Sequence, residues 1–278
     1  MDVAKLDSSG APLVTLRPTR PETATAQFPA GTNGWQTGLV QLAELLGCTL
    51  DAAALAGVEC FQVLRVATGA TLIEQAAAAE NLYLVQTGSF KCVRTAEDGY
   101  EHVLGFALRR DLLGYDGLAG GVYANGAVAL EDSRVVVLPL SMLDTLRRRV
   151  RVIETALARM VAGQLVLASE QAELMAAVAA ESRLARFVRK LSLRMAERGE
   201  SPRRLRLRMS RRDIANHLGL AQETISRAFR TLVEAGWLKV RNRDVEIVDP
   251  EGLRACARST RGLHDEAAAR PPSLARMM

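Results

Sequence analysis

Between Ser210 and Ala228 the chain reads SRRDIANHLGLAQETISRA, and the order of small, apolar and turn residues there admits few backbones. Ser210 followed three residues later by Asp213 is a capping-box-like start for a first helix. Ile214 and Leu218 face inward, Ala215 is small where a second helix must cross closely, and Gly219 supplies the sharp turn. Leu220, Ile225 and Ala228 complete the buried face of the second helix, which Gly236 closes from the C′ position. The next segment, WLKVRNRDVEIVD, reads as a β-hairpin turning at Asn242. Two tightly crossed helices followed by a hairpin make a winged helix-turn-helix.

With those positions assigned to the core, Gln222, Glu223, Ser226 and Arg227 face outward at the start of the second helix. A helix lying in a major groove presents its N-terminal residues to base edges. A carboxylate accepts from cytosine N4, and an arginine makes a bidentate contact with guanine O6 and N7. Glu223 and Arg227 are also i,i+4, so a plain intrahelical ion pair competes with base readout. Charge distribution is compatible with DNA binding and equally with the solvated face of a helical domain. From Arg183 to Arg243 there are 17 Lys and Arg against five acids, a net of +12; the whole chain carries +5, which leaves −7 on the remainder. A basic module joined to an acidic remainder fits a polyanion-binding domain attached to something else. Arg203, Arg204, Arg206, Arg208, Arg211, Arg212, Arg230 and Arg241 are expected to contact phosphates, which position the protein without specifying sequence.

Upstream, Ile153, Leu157, Met160, Gln164, Leu167, Gln171, Leu174 and Val178 recur at alternating spacings of four and three. This heptad seam predicts a dimerisation helix over 141–179, with the two Gln fixing register; one long helix packed on its own domain is the competing reading. From Cys60 to Leu140 short apolar runs (FQVLRV, ATLIEQ, NLYLVQTGSFKCVRT, HVLGFAL, AVALED, RVVVLPL) alternate with glycine-rich turns and predict a small antiparallel sandwich or barrel. Short helices are expected over Gly38–Gly47 and Ala52–Ala56. The fold class is therefore α+β, in five parts: a mobile arm at 1–37, a β-domain at 38–140, the helix at 141–179, the winged helix-turn-helix at 180–257 and a disordered tail at 258–278.

These features resemble the Crp/Fnr superfamily of bacterial transcription regulators. The resemblance runs from about Phe61 to Ala255 and is carried by LYLVQTGSFKCVRT, EHVLGF, DLLGYDGLAGG and ESRLARFVRKLSLRMAERGESPRRLRLRMSRRDIANHLGLAQETISR. It implies that the β-domain is a cyclic-nucleotide-binding-like β-roll (a jelly roll). It also implies that Glu223, Ser226 and Arg227 form an Fnr-like reader of TTGAT, used by a homodimer on TTGAT-N4-ATCAA. Gln222 stands where that family varies. The same resemblance implies RNA polymerase as a partner, with the Gly114–Gly126 loop as a contact surface.

The sensing chemistries known in the family meet the residues poorly. The loop from Leu113 to Asp132 contains no Lys or Arg, and a buried cyclic phosphate without a cation is costly. Cyclic AMP is therefore not expected. An iron–sulfur cluster needs converging thiolates, whereas Cys48, Cys60, Cys92 and Cys256 are scattered and none lies in the first 47 residues. For haem, only His102 lies outside the DNA-binding motif and the tail. No cofactor and no metal are expected, and no nucleophile–base constellation points to an enzyme. No apolar run approaches the ~20 residues of a membrane span. The N-terminal residues lack the apolar core of a secretory leader, so a cytoplasmic protein is expected. The different-class alternative is a small-molecule or redox-sensing β-roll whose DNA binding is vestigial.

Overall fold

The computed structural model describes residues 35–50, 60–176 and 179–259. The arm up to Gly34, the helix expected over Ala52–Ala56 and the tail from residue 260 lie outside the described residues. The arm had been expected to extend to residue 37, but Trp35–Gly38 form a strand, β1, paired with β2 (Cys60–Val66). Helix α1 (Leu39–Leu46) follows directly and ends on Gly47 in the left-handed region.

The remaining roll strands are β3 (Thr71–Ile73), β4 (Asn81–Thr87), β5 (Phe90–Thr95), β6 (Glu101–Ala107) and β7 (Leu112–Leu113). A short helix α2 (Gly117–Gly120) precedes β8 (Gly126–Ala129) and β9 (Ser133–Pro139). They build two antiparallel sheets, ordered β1-β2-β9-β4-β7 and β3-β8-β5-β6. Strand β4 is apolar on both faces because both are covered. Tyr83 and Val85 join Phe90, Tyr123 and Ala127 between the sheets, while Leu82 and Leu84 join the helices on the other side. The glycine-rich loop is closely packed: Gly114 has φ +80°, and a Cβ there would stand 2.9 Å from the Tyr123 ring.

The single long helix expected over 141–179 is broken. Helix α3 (Leu140–Arg149) stops at Val150, whose φ −129° and ψ 78° are not helical, and α4 (Arg151–Ala176) starts anew. Val150 is buried with Leu146 and Ile153, so the break turns the chain to lay α4 across the roll. The first part of the seam packs within the chain. Ile153 and Leu157 are buried among Leu82, Leu84, Leu112 and Leu138 of the roll, with Met160 packed beside them. Gln164 faces Tyr115 (3.4 Å between Oε1 and the hydroxyl), and Gln171 Nε2 donates to the His217 carbonyl at 2.8 Å. Leu167 faces the same cavity as Gln164 and Gln171. Ile153 and Leu157 thus pack within the chain's own core, while Gln164, Leu167 and Gln171 are half-buried farther along α4; the Leu174 side chain lies outside the described residues.

The C-terminal part comprises α5 (Ala180–Ala196), β10 (Arg204–Arg206), α6 (Arg211–His217), α7 (Gln222–Glu234), β11 (Leu238–Arg241), β12 (Asp244–Ile247) and α8 (Pro250–Arg258). Helix α8 had not been expected. Pro250 at its first turn and Asp249, whose carboxylate accepts from the Glu251 and Gly252 amides at 3.0 Å, start it. The hydrophobic core here includes Val93, Val103 and Phe106 of the roll, so roll and C-terminal helices share one apolar cluster.

Candidate nucleic-acid interface

Helix α6 begins as its sequence requires. Ser210 Oγ accepts from the Asp213 amide at 3.1 Å, and Asp213 Oδ2 accepts from the Ser210 amide at 2.9 Å. Burial opposes charge on Asp213, but the Ser210 hydrogen bonds and Lys91 outweigh it and hold the carboxyl below its ordinary range. Gly219 (φ +62°) makes the turn, and Ile214, Ala215, Leu218, Ile225 and Ala228 are all buried at the crossing. Gly236 follows α7 with φ +78°, and Asn242 turns the hairpin with φ +56°.

This frame leaves Gln222, Glu223, Ser226 and Arg227 exposed on the first two turns of α7. Ser226 Oγ donates to the Gln222 carbonyl at 3.0 Å. Arg227 and Glu223 approach only to 3.9 Å, with 67% and 81% of their side chains exposed. An exposed pair of that length contributes little, so both remain available to an outside partner. The apolar face of α7 is covered and its polar N-terminal face open, the disposition a major-groove helix needs.

The arginines expected at phosphates divide. Arg212, Arg230 and Arg241 are exposed. Arg208 is exposed but bonded to Glu131 of the roll at 3.1 Å. Arg211 departs from expectation: its guanidinium lies 3.5 Å over the Phe229 ring centroid and reaches the Asn242 carbonyl at 3.4 Å. Burial lowers its pKa, and its Nη1 is buried without a hydrogen-bond partner. It braces the hairpin against α7 rather than projecting outward.

Sequence reasoning missed how α6 meets the roll. Asn216 and His217 bond to the backbone of β6, and Phe106 and Phe187 pack edge-on around the His217 ring at 5.2 and 5.8 Å. Asp111 takes both Arg194 of α5 and Arg198 just beyond it, with Arg194 also donating to the Phe106 carbonyl at 2.9 Å. These partners stand roughly 80 to 115 residues apart, and no local pattern marks them.

The residues do not fit an iron–sulfur cluster. Cys48 follows α1, Cys60 opens β2, Cys92 sits within β5 and Cys256 within α8. Among the described residues no group of three or more His, Cys, Asp or Glu converges as a ligand set.

Comparison with known proteins agrees with this architecture. A Crp-like helix-turn-helix domain matches residues 182–256, and a cyclic nucleotide-binding domain matches residues 63–149. The chain is 36% identical over 195 residues to the fumarate and nitrate reduction regulatory protein of Salmonella typhimurium, covering 70% of this chain and 78% of that protein. The corresponding regulator of Klebsiella oxytoca is 35% identical with the same coverage. FixK2 from Bradyrhizobium japonicum superposes with a TM-score of 0.62 at 26% identity, over 72% of this chain and 98% of that one. A Crp-family transcriptional regulator from Thermus thermophilus shares the fold with a TM-score of 0.58 at 23% identity, over 70% and 97% of the two chains. These relatives are regulators rather than enzymes, and the chain belongs to the Crp/Fnr family of DNA-binding transcription regulators.

Proposed function

We propose that the protein acts in the cytoplasm as a homodimer on an inverted repeat close to TTGAT-N4-ATCAA. The observation that carries this reading is the joint exposure of Glu223, Ser226 and Arg227 on the first two turns of α7. In this reading Arg227 contacts a guanine and Glu223 a cytosine of each half-site, while Arg212, Arg230 and Arg241 hold phosphates.

The dimer surface is the outer ridge of α4, not the heptad seam. Ala158, Ala162, Leu165, Ser169 and Ala172 follow one another at four-three spacing and are all exposed, Leu165 by 70%. Small residues flanking one large apolar side chain allow a symmetry-related helix to approach closely, and two-fold pairing matches an inverted repeat. Leu118 and Val122, each about half-exposed on the glycine-rich loop, support a contact there with RNA polymerase.

Fluorescence anisotropy tests the operator. The reduced protein is titrated onto a TTGAT-N4-ATCAA duplex and a scrambled duplex at about 150 mM salt, beside Arg227→Ala. The expected result is specific binding that weakens by roughly 1–3 kcal/mol in the variant, with discrimination lost at one base pair. Equal binding to both duplexes by the parent protein would refute this operator.

A further inference from the structure

The stretch ahead of α6 alternates in and out: Leu205, Leu207 and Met209 are buried, while Arg204, Arg206 and Arg208 are exposed. The Leu207 amide donates to the Arg243 carbonyl at 2.8 Å, which lays this stretch against the turn of the hairpin. Arg208 therefore stands between the wing and the start of α6.

The DNA-binding half does not have this side chain to itself. Its Nη1 lies 3.1 Å from Oε2 of Glu131, in the turn between β8 and β9 of the roll. Among the described residues, no other arginine expected at a phosphate forms an ion pair. Glu131 is held in place. Its Oε1 accepts from the Ser89 hydroxyl at 2.8 Å, and its carbonyl accepts from the Ser133 hydroxyl at 2.7 Å. Ser89 is buried, and its turn is pressed so closely onto Ser133 that Gly88 (φ +89°) leaves no room for a Cβ. A carboxylate fixed through one oxygen presents the other at a set position, where it accepts from a guanidinium as a phosphate oxygen does.

The neighbouring bridge between the same two halves is of another kind. Lys91 of β5 meets Asp213 at 3.4 Å and Glu101 besides, and the Lys91 and Asp213 side chains are only 18% and 17% exposed. Breaking so enclosed a pair leaves a charge without its partner. Arg208 and Glu131 are 43% and 29% exposed. A pair that open to water contributes little and gives way to a competing anion.

We propose that Glu131 is an autoinhibitory competitor of DNA, a reading that rests on phosphate contact by the helix-turn-helix half and not on any one operator. It occupies Arg208 in the free protein, and a backbone phosphate displaces it when the duplex docks. The exchange lowers affinity in two ways. The displaced carboxylate stays near the phosphate and repels it. It also takes up a cation from solution, which cancels the counterion that Arg208 releases from the DNA. The penalty is alike for all sequences, because phosphate contacts position without specifying.

Anisotropy titrations of the full chain on the TTGAT-N4-ATCAA and scrambled duplexes, between about 50 and 150 mM salt, test this. Glu131→Gln keeps the shape and removes the charge. It should bind both duplexes roughly two- to fivefold tighter. The slope of log K against log salt should steepen by up to about 0.9. In an Arg208→Ala background the same substitution should change neither quantity. Glu131→Asp draws the carboxylate back by one methylene; it should tighten binding less than the amide does, and it decides the matter if Glu131→Gln fails to fold. A parent that binds both duplexes equally refutes the operator, and the gain is then expected equally on both. Unchanged or weaker binding in the folded Glu131 variants, or a gain that survives Arg208→Ala, would overturn the proposal.

Discussion

The side chain of Asn216 clasps the backbone at Val103: its Oδ1 accepts from the Val103 amide at 2.6 Å, and its Nδ2 donates to the Glu101 carbonyl at 2.6 Å. One residue of the first helix-turn-helix helix thus completes the hydrogen bonding of a strand in the other half of the molecule. Removing it strands a donor and an acceptor in a partly buried place. Asn216→Ala is expected to destabilise the chain by about 1–3 kcal/mol. Urea unfolding measures the loss, and amide exchange locates it: the Val103 N–H should exchange faster, while amides between the two roll sheets keep their protection.

His217 extends the same joint and gives it a pH dependence. Its Nδ1 lies 3.2 Å from the Val103 carbonyl, so Nδ1 carries the proton and donates. Burial lowers its pKa from 6.5 to about 4, outweighing the Val103 hydrogen bond, with Lys190 and Arg194 adding to the shift. The unfolded chain therefore takes up a proton as pH falls through 6.5, whereas the folded chain resists until near 4. The contribution is whole above pH 6.5, declines between 6.5 and about 4, and amounts to on the order of 3 kcal/mol. Carboxylates titrate in the same window, so the informative quantity is the difference from His217→Phe, which keeps the ring packing and cannot ionise. Unfolding free energies at pH 7 and pH 4.5 should fall further in the parent than in the variant.

The helix-turn-helix was legible because its determinants are local. A capping pair, a turn glycine and apolar residues at fixed offsets fall within 19 consecutive positions, from Ser210 to Ala228. Apart from the two-residue β7, the roll strands from Phe61 onward were legible for a similar reason, each apolar run ending at a turn residue. Strand β1 was not, since four residues in a stretch rich in Thr and Gly carry no period, and their partner lies some 25 residues away. The break at Val150 has no Gly or Pro to announce it. Most telling is α4: a 3.5-residue period reports that one stripe is apolar, not which surface covers it. Ile153 and Leu157 met the chain's own sheet.

That distinction predicts opposite outcomes at two leucines of one helix. Leu157 is 8% exposed and packed in the roll core; Leu165 is 70% exposed on the outer ridge. Leu157→Ala should cost about 2–5 kcal/mol of stability by opening a cavity. Leu165→Glu should leave the circular dichroism spectrum intact and shift sedimentation from dimer to monomer. A dimer surviving Leu165→Glu would remove the ridge from the interface.

Arg211 and Arg212 are neighbours with different work, and DNA binding at several salt concentrations separates them. Arg212 is exposed, so Arg212→Ala should weaken binding to cognate and scrambled duplexes alike and reduce the slope of log K against log salt by about one. Arg211 is stacked on Phe229 and tied to the hairpin turn at Asn242. Arg211→Ala should leave the salt slope unchanged and lower stability by about 1–2 kcal/mol, the scale of a partly desolvated cation–π contact. The amides around Asn242 should exchange faster as the hairpin loses its brace. A slope reduced by one in Arg211→Ala, with stability unchanged, would return this residue to the phosphate contacts.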